Sequence, residues 1–163
     1  MQTWNKEFDG FTFKSPCTIE IYCKVPNSWA SFWTLHVPRI RSETGRFHSV
    51  PEVDVMENNG NRIDQWIHFG YDSVKYNRFS WGKIGIHNPD CKFHKYAVKI
   101  TKEGYETYFD SKRTKKFKDK DVYEGQFIDT SDKRYLILTN ASDGRFDEKF
   151  SNFMIKWIKI YKN

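Results

Sequence analysis

Glu52-Val53-Asp54-Val55-Met56-Glu57 is the stretch on which the reading of this chain turns. Three carboxylates stand in an otherwise apolar run, with Pro51 before it and Asn58-Asn59-Gly60 after it. β-Branched Val53 and Val55 favour an extended backbone, whose side chains alternate between two faces. Glu52 and Asp54 then share one face, and Val53 and Val55 can enter a core on the other. Glu57, five positions after Glu52, falls out of phase. One extra residue, a β-bulge, restores the phase, and Met56 is the natural candidate. The two glutamates are then about four strand steps apart, roughly 13 Å of backbone at ~3.3 Å per residue. Side chains leaning across that span can bring their carboxyl groups to about 5–5.5 Å, the separation used in glycoside hydrolysis with retention. The spacing also permits another arrangement, in which Met56 points inward and Glu57 is solvated at a strand end beside an Asn-Gly turn.

Outward from this strand the chain reads as β structure. Residues 11–13, 18–25, 31–37, 62–70, 93–101, 105–110, 135–140 and 153–161 are rich in β-branched and aromatic residues, many in alternation. Pro26-Asn27, Pro38 and Asn59-Gly60 punctuate them, and residues 102–104 suit a second hairpin. Residues 39–50 read as a polar connection. No amphipathic helix and no internal repeat stands out. Strands at this density imply an antiparallel sandwich. The 163 residues fit one domain spanning 1–163, and aromatics make up 18% of them, enough for a large aromatic core and a ring-lined cleft.

The net charge is +6, and its densest run is Lys112-Arg113-Thr114-Lys115-Lys116-Phe117-Lys118-Asp119-Lys120. This run reads as a solvated loop that could also meet an anionic polymer. No RNA-binding aromatic signature or zinc-finger spacing accompanies it, so no nucleic-acid partner is expected. Of the cysteines, Cys17 and Cys23 lie six apart on one strand, too far for a mutual disulfide, and read as small buried hydrophobes. Neither they nor Cys91 belongs to a metal-like cluster. No cofactor, no metal and no membrane partner is expected, since no run approaches transmembrane length. Residues 1–7 do not read as a signal peptide.

The residues around the hexapeptide carry a resemblance. Glu52 to Glu57 resembles the bulged E-x-D-x-x-E signature of glycoside hydrolase family 16, in its laminarinase- and agarase-like form. Residues 20–26 are similar to that family's strand ending in Lys-x-Pro. Trp29-Ala30-Ser31-Phe32-Trp33 is similar to its Trp-Pro-Ala-Phe-Trp segment, and His68-Phe69-Gly70 to its His-Trp-Gly element. Residues 93–98 followed by Tyr108-Phe109-Asp110 resemble its Phe-His-x-Tyr…Tyr-x-Asp hairpin. Residues 135–138 and the closing strand match in character and order, so the resemblance spans about 17–162.

The resemblance implies a concanavalin-like β-jelly roll of two antiparallel sheets. It implies an endo-acting enzyme that cleaves a β-linked glucan or galactan with retention. Glu52 would be the nucleophile, Glu57 the general acid/base, and Asp54 the residue that polarises the pair. Trp29 and Trp33 would be sugar platforms. His68 would stand beside the acid/base, with Trp66 on its face. His94 reads as structural, and Trp157 as packing; Trp81 has no assigned role. The family expectation is a secreted protein. Departures fall at Tyr22, where Arg is common, at Ala30-Ser31, and at residues 139–144. The chain also begins near the family's second major strand, which implies a sheet edge covered by a partner, a second copy or another domain. A lectin-like module of the same fold that binds polysaccharide without turnover is the alternative. A basic module for anionic polymers, with salt-sensitive affinity, is a third.

Overall fold

The computed structural model describes residues 11–37, 40–41, 47–48, 52–60, 62–72, 77–87, 90–118, 133–141 and 152–163; at 36–37, 40–41, 47–48, 69–72, 77–84 and 87 it describes the backbone alone. The strands in chain order are β1 (Thr12–Lys14), β2 (Cys17–Lys24), β3 (Trp29–Val37), β4 (Ile40–Arg41), β5 (Phe47–His48), β6 (Glu52–Asn58) and β7 (Ile63–Asp72). They continue as β8 (Asn77–His87), β9 (Phe93–Thr101), β10 (Gly104–Phe109), β11 (Lys112–Lys118), β12 (Lys133–Ala141) and β13 (Met154–Lys162). One six-stranded sheet has the order β1-β12-β3-β6-β7-β8, and a five-stranded sheet the order β11-β10-β9-β2-β13. Every pairing is antiparallel. The fold is an all-β jelly-roll sandwich.

Alternation builds the core between the sheets. On β2, Cys17, Ile19, Ile21 and Cys23 point inward and are essentially unexposed. Val98 and Ile100 of β9 join them, and Val53, Val55 and Met56 of β6 meet them from the other sheet. The Cys23 thiol lies 3.9 Å from the Met56 sulfur. Burial pushes that thiol up to about 12, so it stays protonated and acts as a packing group.

Three expectations are corrected. The basic run is a strand, β11, paired with β10 along its length. Phe117 gives it a buried anchor, and its exposed lysines sit on a sheet edge, where charge discourages edge-to-edge pairing. The connection over 39–50 contains the β4–β5 pair. β8 is a full edge strand that the alternation of its residues does not announce. Residues 1–10 and 142–144 lie outside the described residues, as does the side chain of Trp81. No described helix is long and apolar enough to cross a membrane.

Candidate active site

β6 lies between β3 and β7 in the six-stranded sheet. Its register shifts against both neighbours. Against β3, Asp54 pairs with Trp33 and Met56 with Phe32, which leaves Val55 as the extra residue. Against β7, Asp54 pairs with Trp66 and Glu57 with Asp64, so Val55 and Met56 together face Gln65. The bulge therefore covers Val55 and Met56, not Met56 alone. Both side chains point into the core with no exposed surface. Two consecutive inward residues return Glu57 to the face of Glu52 and Asp54, and all three acids line one cavity.

A bulge leaves a ladder carbonyl in want of a donor. Gln65, fully buried on β7, donates from Nε2 to the Val55 carbonyl at 2.9 Å. It also reaches the carbonyls of Ala97 at 3.3 Å and Tyr108 at 3.2 Å in the opposite sheet. Thr114 Oγ1 donates to its Oε1 at 3.1 Å. One amide thus ties the bulge to the second sheet.

The far end of β6 is fixed by Asn58, whose Nδ2 donates to the carbonyls of Pro26 at 2.9 Å and Ser28 at 3.1 Å. Its Oδ1 accepts from Gly60 N at 3.0 Å, in a turn where Gly60 takes φ 98°, a conformation suited to glycine. These bonds hold the segment leading into β3 against the end of β6. The Trp29 Nε1–H consequently donates to Glu57 Oε1 at 2.8 Å.

The cavity has a volume of about 300 Å³. Trp29, Trp33, Trp66 and His68 line it together with the three acids, so the residues assigned to the site from sequence lie around one cavity. Trp33 Nε1 donates to Thr139 Oγ1 at 3.0 Å. The rings of Trp66 and His68 stack at 5.4 Å and 12°. His68 was expected beside Glu57. It instead stands opposite Glu52 in the register, with Nε2 2.9 Å from Asp54 Oδ2 and 3.6 Å from Glu52 Oε1. The reason is the antiparallel register, in which Glu57 pairs with Asp64, four residues before His68 on β7. Ligand atoms of Glu52, Asp54 and His68 lie within 4.8 Å of one another, so these three residues could also hold a divalent cation.

Sequence reasoning missed Ser31 and Thr139 in the cavity wall, Gln65 behind it, and Asp64. Asp64 shares the parity of Trp66 and His68 on β7, a signal that was legible. It is fully buried, accepts from Arg62 Nε at 2.9 Å and meets the Asn59 amide. Away from the cavity, His94 sits in the β9–β10 hairpin as expected. Its Nδ1 is 2.7 Å from Asp110 Oδ2 and its Nε2 3.1 Å from Asp90 Oδ2.

No protein-family model and no curated protein matches the chain. Solved structures do. The laminarinase catalytic domain from Thermotoga maritima matches with a TM-score of 0.65 and 19% identity over 100% of this chain and 74% of that one. A glycoside hydrolase family 16 endo-glucanase from Bacteroides ovatus matches with 0.64 and 17% identity, over 93% of this chain and 71% of that one. β-Agarase A from Zobellia galactanivorans matches with 0.64 and 16% identity, over 93% of this chain and 63% of that one. The chain spans about two thirds of the length of such structures, 66% and 63% in two further cases. At these identities the likeness establishes the fold, which is that of the family 16 laminarinases and agarases.

Proposed function

We propose that the chain is an endo-acting, retaining β-glycosidase that hydrolyses a β-linked glucan or galactan. The observation that carries this reading is the bulge, which puts Glu52 and Glu57 on one face of β6 in a cavity walled by three tryptophans. Solved structures of the same fold named as laminarinase, endo-glucanase and agarase add support.

The chemistry follows from the donors at each acid. An indole N–H only donates, so the bond from Trp29 occupies Glu57 Oε1 and leaves Oε2 to carry the proton. Glu57 gives that proton to the glycosidic oxygen as the bond breaks. Glu52 attacks the anomeric carbon and forms a glycosyl ester. Glu57, now a carboxylate, takes a proton from water, which hydrolyses the ester with a second inversion and so net retention. His68, held by Asp54, orients that carboxylate beside Glu52 and limits its repulsion of the nucleophile. The tryptophans supply flat apolar walls for sugar rings. The endo mode is taken from the likeness to a solved structure named as an endo-glucanase.

The test is incubation with laminarin, lichenan, agarose and carrageenan, with new reducing ends and the anomeric configuration of the first product as readouts. Retained configuration is expected, with a loss of about 10²–10⁴-fold in Glu57→Gln, the range typical for a proton-transfer group, and a loss at least as large in Glu52→Gln, which removes the nucleophile. Inverted product, or unchanged turnover in both variants, overturns the assignment. The alternative is a lectin-like module of the same fold that binds polysaccharide without turnover. Saturable binding to one of these polymers with no new ends after prolonged incubation decides for that reading.

A further inference from the structure

The five-stranded sheet has an outer face that the proposed reaction does not use. Because Cys17, Ile19, Ile21 and Cys23 enter the core, the even residues of β2 point outward, and the register carries that parity across the sheet. Seven cations stand on this side: Lys24, Lys95, Lys99, Arg113, Lys116, Lys118 and Lys159. Lys156, at the β13 bulge, adds another, its Nζ 4.5 Å from the Phe93 ring centre and 5.4 Å from that of Tyr22. Only two carboxylates oppose them among the described strand residues of this face, and both are engaged. Glu20 meets Lys95 at 3.4 Å. Glu106 meets Lys116 at 2.9 Å and Arg113 at 3.6 Å. The face keeps a surplus of positive charge.

The surface is also shaped. A depression of about 390 Å³ lies over β9 and β2, with Ala97 in its lining and the rings of Tyr108 and Tyr161 beside it. Ala97 is 3% exposed and has only a methyl group to offer, which is why the sheet dips there. Tyr161 is 47% exposed. Lys95 and Lys99 flank Ala97 along β9, about 13 Å apart at ~3.3 Å per residue. Glu20 also lines the depression, its charge met by Lys95, and Thr18, Ser111 and Asn163 bring hydroxyl and amide groups to it, with Thr18 donating to Asn163 Oδ1.

We propose that this face is a second binding surface, selective for an anionic polysaccharide bearing sulfate or carboxylate groups. Tyrosine rings meet the C–H faces of sugars, hydroxyl and amide groups meet their hydroxyls, and ammonium groups on both sides of the dip meet the anions. Charge complementarity selects an anionic glycan over a neutral one. A single-stranded nucleic acid fits less well. Stacking of successive bases needs a run of bare rings, whereas Lys156 covers Tyr22 and Phe93 and Lys159 lies 4.6 Å from the Trp157 ring centre, which leaves Tyr108 and Tyr161 at the depression. The surface works without the acids of β6, so it stands whether or not the groove hydrolyses anything.

The experiment is affinity electrophoresis of the full chain in gels containing λ-carrageenan or, as the neutral control, laminarin, at 50 and 200 mM NaCl. Retardation by carrageenan is expected to weaken about tenfold or more between the two salts. A Lys99→Gln/Lys159→Gln double variant is expected to bind carrageenan about tenfold more weakly, with melting temperature and laminarin behaviour unchanged. Trp33→Ala, which strips one wall of the cavity on the other sheet, is expected to bind carrageenan as the wild type does, which separates this surface from that cavity. Wild-type retardation of the double variant overturns the proposal. So does displacement of carrageenan by oligothymidylate at equal anion concentration.

Discussion

In the proposed mechanism, a single hydrogen bond decides which oxygen of Glu57 can act. Trp29→Phe keeps the ring in the wall and removes the donor at 2.8 Å. A bond to an ionised group is worth about 1.5–3 kcal/mol, so kcat/KM should fall roughly 10–100-fold, with polysaccharide affinity in the Glu52→Gln background changing less. Steady-state kinetics on the best substrate check this, and unchanged kcat/KM would remove Trp29 from the mechanism. His94 offers a prediction with a pH sign. Burial pulls its imidazole down, but hydrogen bonds and charge from Asp110 and Asp90 outweigh burial and raise it above its ordinary 6.5. A raised folded value means that the protonated form stabilises the fold. That stabilisation is complete below 6.5 and is lost as pH rises through the raised value. His94→Gln should therefore lower the melting temperature at pH 5.5 and leave it nearly unchanged at pH 9. A larger effect at pH 9 would show that packing against Phe109, 4.9 Å between ring centres, is what His94 provides.

At the scale of the element, the bulge is held from behind by Gln65. Gln65→Leu retains bulk and removes the donor to the carbonyls of Val55, Ala97 and Tyr108. Leaving buried acceptors unmet costs about 1–3 kcal/mol, measurable as a lower urea midpoint. If the bulge relaxes, Glu57 moves relative to Glu52, and turnover falls further than stability alone explains. Activity that tracks only the folded fraction would limit Gln65 to a structural part. The sequence made the need for a bulge legible, because three acids cannot share a face without one. It did not show the location, because Val55 and Met56 are both apolar and either could be the extra residue. Strands with clean alternation were equally legible: β9 runs over the residues expected of it. β8 was not, because Gly82, Gly85 and scattered charges interrupt its pattern. A Cβ at Gly85 would displace the end of the Arg62 side chain. β11 hid behind its charge, because an edge strand needs only one buried anchor.

For the whole molecule, both sheets contribute to one core, with Val53, Val55 and Met56 of β6 clustered with Ile19, Ile21 and Val98 of the opposite sheet. β6 packs over β2 and β9, and the Gln65 bonds cross the same interface. Neither sheet can open without exposing the inner face of the other, so the chain should unfold as one cooperative domain. Its tryptophans report on both halves: Trp29, Trp33 and Trp66 line the groove, and Trp157 lies on the outer face of the five-stranded sheet against Tyr22, 5.6 Å between ring centres. Urea unfolding followed by far-ultraviolet circular dichroism and by tryptophan emission should give superimposable curves, with a slope of about 1–3 kcal/mol per molar urea. Trp157→Phe removes the reporter of one sheet and should leave the emission midpoint with that of circular dichroism. A groove signal that melts earlier than the bulk of the strand signal would mean that the six-stranded sheet opens as a separate unit, and the acids would then sit on a locally labile platform.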